Sequence, residues 1–302
     1  MKKKALVPGM LCALLVAALA AFAGSLTEIS LGASRGPEAV AFDGTYVWIA
    51  QKHANTVTRV KATDGTVSGT FAVGIRPVAL AFDGKAIWVA NSQSDNVMRV
   101  RTTDGVVVFT LATGDGPDGL TFDGTNLWVS NRQDNRVSKV RVQDGVVLGT
   151  FNVGRLPSGL ASDGTNIWVA NSGDHSVTKL RAKDGLKLGT FDVGRAPYGV
   201  AYGASSIWVT NFFSGNVTKL RPSDGAVLGT FPVGDGAAGV AFDGASLWVA
   251  TNGTNGVVRL STSGAVTASY ATGKKPFGVT FDGSNIWVAN FGSNSVSTTL
   301  LK

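Results

Sequence analysis

Tryptophan recurs along this chain at a fixed interval. Trp48, Trp88, Trp128, Trp168, Trp208 and Trp248 lie 40 residues apart, and Trp287 follows after 39. These are all seven tryptophans among the 302 residues. A period of this length marks one supersecondary unit repeated in space, and it constrains the fold more than any bulk property. The units begin at Pro37, Pro77, Pro117, Pro157, Pro197, Ala237 and Pro276. One of them reads PSGLASDGTNIWVANSGDHSVTKLRAKDGLKLGTFDVGRA.

Each unit divides into four strand-like pieces, such as GVAFDG, NIWVAN, SVTKLR and LGTFDVG, separated by Asp-Gly and Asn-rich turns. Four short strands per 40 residues is the pattern of a β-propeller blade. The seven units therefore predict an all-β, seven-bladed β-propeller with four antiparallel strands per blade. The last unit, 276–302, holds only three strands. Its missing piece is at the other end, where SLTEISLGASRG (25–36) aligns with VLGTFPVGDG. That N-terminal strand is expected to complete blade 7 from outside and close the ring, leaving no large sheet edge open. A solenoid would have no reason to split a unit in this way.

The repeated residues have structural readings. Each Trp sits mid-strand among Ile, Leu and Val, and is expected between blades. Gly119, Gly159, Gly199, Gly239 and Gly278 fall where the innermost strands converge and space is tight. Fourteen of the eighteen aspartates precede a glycine, the composition of a tight turn. A ring of metal-binding carboxylates is the alternative, but no short loop gathers the several acidic residues that calcium requires.

The N-terminus looks like a processing signal. Lys2, Lys3 and Lys4 precede the apolar run Met10–Ala20, and Ala21-Phe22-Ala23 offers a cleavage site. Residues 1–23 are thus expected to be removed, leaving a propeller of 24–302 that is exported to the periplasm or beyond the cell. An uncleaved anchor is the alternative. Cleavage would remove the one cysteine, Cys12, and lower the formal charge from +7 to +4. The mature chain would then have no transmembrane span, no disulfide and only a modest basic bias.

The motifs FDGxxIWVAN and VxKLRxxDGxVLGTFxVG resemble those of exported bacterial propellers of the YVTN type and of streptogramin lyase-like propellers. The resemblance spans nearly all of 25–302, and it concerns the blade scaffold. It implies the propeller fold. Lyases of that group use a metal with His and Glu from late blades to open a cyclic peptide antibiotic. Here the only glutamates are Glu28 and Glu38, and no histidine follows His175. The catalytic positions therefore have no counterparts in blades 5–7.

No other enzyme pattern takes their place. His53 and His175 fall in blades 1 and 4, on nearly opposite sides of a seven-membered ring, which disfavours a shared metal site. Ser172, Asp174 and His175 could be imagined as a triad, but they lack a nucleophile turn or an oxyanion hole. No catalytic residue, metal or cofactor is assigned.

The loops before the first strand and after the second share one face, and there the units differ most. Blade 5 offers Tyr198, Phe212 and Phe213; blade 7 offers Phe277 and Phe291; blade 6 between them has Ala237, Ala238 and Gly253. Small residues flanked by aromatics predict a ligand groove, with Arg195, Asp235, Lys274 and Lys275 as its polar rim. The third strands carry Arg59, Lys61, Arg99, Arg101, Lys139, Arg141, Lys179, Arg181, Lys219, Arg221 and Arg259. These read as a solvated basic belt that protects outer edges, with attraction of an anionic polymer as the alternative. No nucleic-acid motif accompanies them, and nucleic acid is not expected as a partner. The sequence thus predicts a monomeric, non-catalytic propeller that binds a protein, peptide or glycan through its variable loop face. A propeller enzyme of the lyase-like group, with an unrecognised site, is the alternative.

Overall fold

A computed structural model of the protein describes residues 24–300. The expected signal segment, 1–23, and Cys12 within it lie outside the described residues. Among those described, every regular element is a β-strand. Blade 4 shows the common plan from channel to rim: Pro157–Ser162, Asn166–Asn171, Ser176–Arg181 and Lys187–Asp192, each antiparallel to the next. Seven such sheets make the ring.

Closure follows the split repeat. Thr27–Ser30 is the outer strand of blade 7, antiparallel to Ser295–Thr298, with Ile29 opposite Val296. One detail goes beyond the repeat alignment: Gly24–Ser25 runs parallel to Val266–Ala271, the outer strand of blade 6. The N-terminal residues therefore tie two neighbouring blades.

Burial explains the strand compositions. The second strand of blade 4, NIWVAN, is buried at all six positions because blades cover both its faces. The outer strand KLGTFD alternates between exposed and half-buried, with one face toward solvent. Six of the tryptophans have no accessible surface, and Trp248 retains 6%. Each packs into an inter-blade cluster: Trp48 meets Ile87, Val89 and Val100 of the next blade, and Trp287 meets Val47 and Ile49 across the closure. Truncating such a ring costs about 3–5 kcal/mol.

The Asp-Gly corners hold these rings. In blade 4, Asp163 Oδ1 accepts from the backbone N–H groups of Thr165 and Asn166 at 2.9 and 2.7 Å, while Oδ2 accepts from Trp168 Nε1 at 2.8 Å. The same clamp joins Asp43 to Trp48, Asp83 to Trp88, Asp123 to Trp128, Asp243 to Trp248 and Asp282 to Trp287. Blade 5 lacks the aspartate, and Trp208 Nε1 donates instead to the Gly203 carbonyl at 3.1 Å.

The basic residues correct the belt expectation. Arg59, Lys139, Lys179 and Lys219 turn between blades, over the tryptophan of their own blade, and reach carbonyls of the next. Lys179 Nζ, for example, donates to Pro222 and Ser223 oxygens at 2.6 and 3.2 Å. Lys61, Arg101, Arg141, Arg181 and Arg221 do face solvent, but each pairs with the aspartate three residues on. Arg99 and Arg259 turn instead to Asp83 and to Ser246 Oγ of their own blades, so the belt divides into inter-blade bolts, intra-blade contacts and a ring of local ion pairs.

Around the channel the inner strands approach closely. A Cβ added to Gly119 would lie 2.2 Å from the Ser158 carbonyl oxygen, and one at Gly239 would lie 2.3 Å from that of Phe277. At these two positions only glycine permits that spacing.

Candidate binding site at the channel mouth

Each blade ties its two variable loops together by a pair of backbone bonds, the first of which sets the side chains. Lys52 N donates to Gly36 O, Arg132 N to Gly116 O, Phe212 N to Ala196 O and Phe291 N to Lys275 O, at 2.9–3.0 Å. This brings together two side chains per blade: the second residue of the inner strand and the first residue after the second strand. The pairs match in chemistry. Blade 1 contributes Glu38 and Lys52, whose charged atoms are 2.7 Å apart, and blade 3 contributes Asp118 and Arg132 at 3.3 Å. Blade 5 contributes Tyr198 and Phe212, with ring centroids 6.4 Å apart, and blade 7 contributes Phe277 and Phe291 at 5.8 Å. Blades 2, 4 and 6 carry the smaller Val78 and Ser92, Ser158 and Ser172, and Ala238 and Asn252.

The aromatic half is continuous. Tyr198 and Phe277 meet at 6.0 Å across blade 6, over the fully buried Ala238, and Phe212 stacks on Phe277 at 6.3 Å and 11°. The small residues of blade 6 let the rings of blades 5 and 7 close into one platform, where the sequence suggested an open groove. Phe213 extends it outward, edge-on to Phe212 at 5.5 Å and 69% exposed. At the far end, Phe291 meets the His53 ring edge-on at 5.0 Å and lies 5.9 Å beneath Lys52 Nζ. The platform therefore runs into the charged wall at the seam of blades 7 and 1.

Between the walls lies a cavity of about 570 Å³. Glu38, Lys52, Arg76, Asp118 and Arg132 line one side, and Tyr198 and Phe277 the other. Beneath it the central channel is apolar, lined by Val40, Leu80, Leu120, Leu160, Val200, Val240 and Val279. Glu38, Asp118 and Tyr198 border both spaces, at the point where polar gives way to apolar.

That position sets their ionisation. Burial pushes the Glu38 carboxyl above the ordinary range, against the pull of Lys52. Burial likewise raises Asp118, against Arg132 and Lys52. Tyr198 is raised well above the usual phenol value by burial, then by the Glu38 and Asp118 charges. Raised ionisable groups at one cavity are a physical mark of a site.

Of the residues singled out in the sequence, Tyr198 and Phe277 face this cavity, while Phe212, Phe213 and Phe291 continue the platform beside it. Arg195, Asp235, Lys274 and Lys275 are exposed on the outer rim, apart from the cavity lining. The charged wall escaped the sequence reading. Its signal was available, because Glu38 and Lys52, like Asp118 and Arg132, are 14 residues apart, as are the aromatic pairs. Ser172, Asp174 and His175 form no relay: Ser172 Oγ donates to Leu156 O, and Asp174 binds Arg155 Nε at 2.6 Å. His175 Nδ1 accepts the Ala196 N–H at 3.1 Å, the latch that Asn55, Asn135 and Asn255 supply elsewhere.

These features define a seven-bladed propeller with a two-walled cavity at its channel mouth. Among solved structures, the chain is similar to hydrazine synthase from Kuenenia stuttgartiensis, with a TM-score of 0.79 and 22% identity over 90% of this chain and 97% of that one. It is also similar to a catalytically inactive virginiamycin B lyase from Staphylococcus aureus with quinupristin, at 0.76 and 20% over 92% and 99%. A streptogramin B lyase gives 0.77 and 18% over 90% and 96%. At these identities the likeness is one of fold. No protein-family model and no curated protein sequence matches the chain.

Proposed function

We propose that this chain is an exported, non-catalytic binding propeller, periplasmic or extracellular, that seats its ligand in the channel mouth. The observation that carries this reading is the blade-paired chemistry: two ion pairs face two aromatic pairs across one cavity, on a scaffold that is otherwise repetitive. Variation imposed on a regular scaffold is where loops carry recognition. Non-catalysis is supported by the engagement of both carboxylates with cations of their own blades, and by the latch role of His175. The test is a binding screen of glycans and peptides against the protein, repeated with Tyr198→Ala and Phe277→Ala. Loss of a large aromatic contact lowers affinity about tenfold or more; unchanged affinity for every bound ligand overturns the reading.

A lyase-like enzyme is the second reading, favoured by the raised Glu38 and Asp118 carboxyls beside Tyr198. It predicts turnover of a cyclic depsipeptide such as quinupristin, abolished by Glu38→Gln. Absence of turnover by the wild-type protein removes it.

A further inference from the structure

Two charge pairs at the mouth are already matched. Glu38 is held by Lys52, and Asp118 by Arg132, and the cavity lining as a whole carries three cations and four carboxylates. Glu38 is 8% exposed and its partner 18%, so this pair stands largely out of water. A ligand that brings a net charge to these two pairs must pull one apart or leave one member uncompensated, and breaking a buried pair is costly. A hydroxyl group makes no such demand. It both donates and accepts, so its oxygen can accept a hydrogen bond from Lys52 or Arg132 while its O–H donates to Glu38 or Asp118. Each pair retains the unused capacity for this, since an ammonium has three donors, a guanidinium five, and a carboxylate several lone pairs. Ser92, Gln93 and Gln133 add neutral donors and acceptors to the same wall.

The facing wall asks for something different. Phe277 and Tyr198 present apolar ring surface, which recognises flat apolar groups and has little to offer a hydroxyl edge. One ligand class carries both characters on one small rigid body: a sugar ring, with hydroxyls around its edge and C–H groups on its face. We propose that the mouth binds a neutral glycan, edge toward the Glu38–Lys52 and Asp118–Arg132 pairs and face upon Phe277 and Tyr198. This rests on the binding reading above and names the ligand class of that site. The 570 Å³ cavity has room for a short oligosaccharide and falls within the ordinary range for small-molecule sites. The exposed Phe213 at the outer end of the platform gives a longer chain a place to continue.

The experiment is titration calorimetry with cello-, chito-, malto- and manno-oligosaccharides, alongside short acidic and basic peptides, at low and high salt. At least one neutral oligosaccharide is expected to bind, with affinity changing less than about twofold with salt, because no net charge is brought together. Phe277→Ala and Lys52→Met are each expected to weaken it at least about tenfold. Lys187→Ala, on an exposed outer strand, leaves it unchanged. If Lys52→Met unfolds the protein, the double variant Glu38→Gln/Lys52→Met removes both charges together and keeps the loss of affinity measurable. Binding of no neutral oligosaccharide, or binding indifferent to Phe277 and Lys52, overturns the glycan assignment. Salt-sensitive binding of a charged peptide that depends on Phe277, without sugar binding, overturns the glycan class while the mouth stands as a binding site. Failure of every probe overturns both.

Discussion

Asp163→Ala isolates what one Asp–Trp clamp contributes to the ring. The substitution strands the Nε1–H of Trp168, whose side chain has no accessible surface, and a buried donor left unsatisfied costs about 1–3 kcal/mol. It also frees the N–H groups of Thr165 and Asn166; these sit nearer water, so about 0.5–1 kcal/mol for the two together is the appropriate scale. A total near 3 kcal/mol follows. Asp163→Asn keeps one acceptor oxygen and turns the other position into a donor, so about half that loss is expected. Equilibrium urea unfolding, followed by both tryptophan fluorescence and circular dichroism, measures these differences. Acid provides a second arm. Burial pushes the Asp163 carboxyl up, but the bonds from Trp168, Asn166 and the turn N–H groups outweigh it and hold the carboxyl below its ordinary value. A carboxylate depressed in the folded state adds stability that is present above the unfolded value, about pH 4, and lost as pH falls through the folded one. The gap between wild type and Asp163→Ala should therefore narrow as pH falls below about 4. A cost below about 1 kcal/mol at neutral pH, or a gap that stays constant in acid, would show that the tryptophan is held by packing alone.

Other perturbations test neighbouring parts of the structure. Gly239→Ala drives a methyl against the Phe277 carbonyl oxygen, 2.3 Å from its Cβ, and should lower Tm by several degrees, read by calorimetry. His175→Asn supplies the same latch at φ 56° as Asn135 does at 57°, and should leave stability within about 0.5 kcal/mol. His175→Val loses the acceptor and puts a β-branched residue at positive φ, so a loss of about 1–3 kcal/mol is expected in the same assay. The Asp184 carboxyl is held down to about 2 by the Arg181 bond and the Leu186 N–H. Carbon-detected NMR should find that value, and Arg181→Ala should raise it while leaving Tm unchanged, because both partners are exposed.

The fold could be read from sequence because a propeller repeats its core residue by residue. The tryptophan interval, the Asp-Gly corners and the split last unit each have one geometric meaning, and the sheets follow them. The basic residues show where strand pattern stops informing. Arg59 and Lys61 share a face of one strand, yet Arg59 is covered by the next blade's turn and Lys61 is not. Period-two alternation cannot express which neighbour lies above a given residue. The candidate site divided in the same way. Aromatics at variable loop positions draw notice singly, so Tyr198 and Phe277 could be found, but Glu38 and Arg132 acquire meaning only with a partner across a hairpin. The His175 latch likewise depends on the loop of the following blade, 21 residues away.

The strand Thr27–Ser30 has a consequence in time. Glu28 receives its hydrogen bond from Ser295, 267 residues later in the chain. During synthesis this segment emerges long before its partner exists, while blades formed from local hairpins can stack behind it as an open arc. The last event is then the return of an early strand to a late one, a non-local step of the kind that is slow and exposes edges meanwhile. A circular permutant that joins the present termini and opens the chain at a turn between blades would give every blade contiguous strands. It should reach the same ring without that wait.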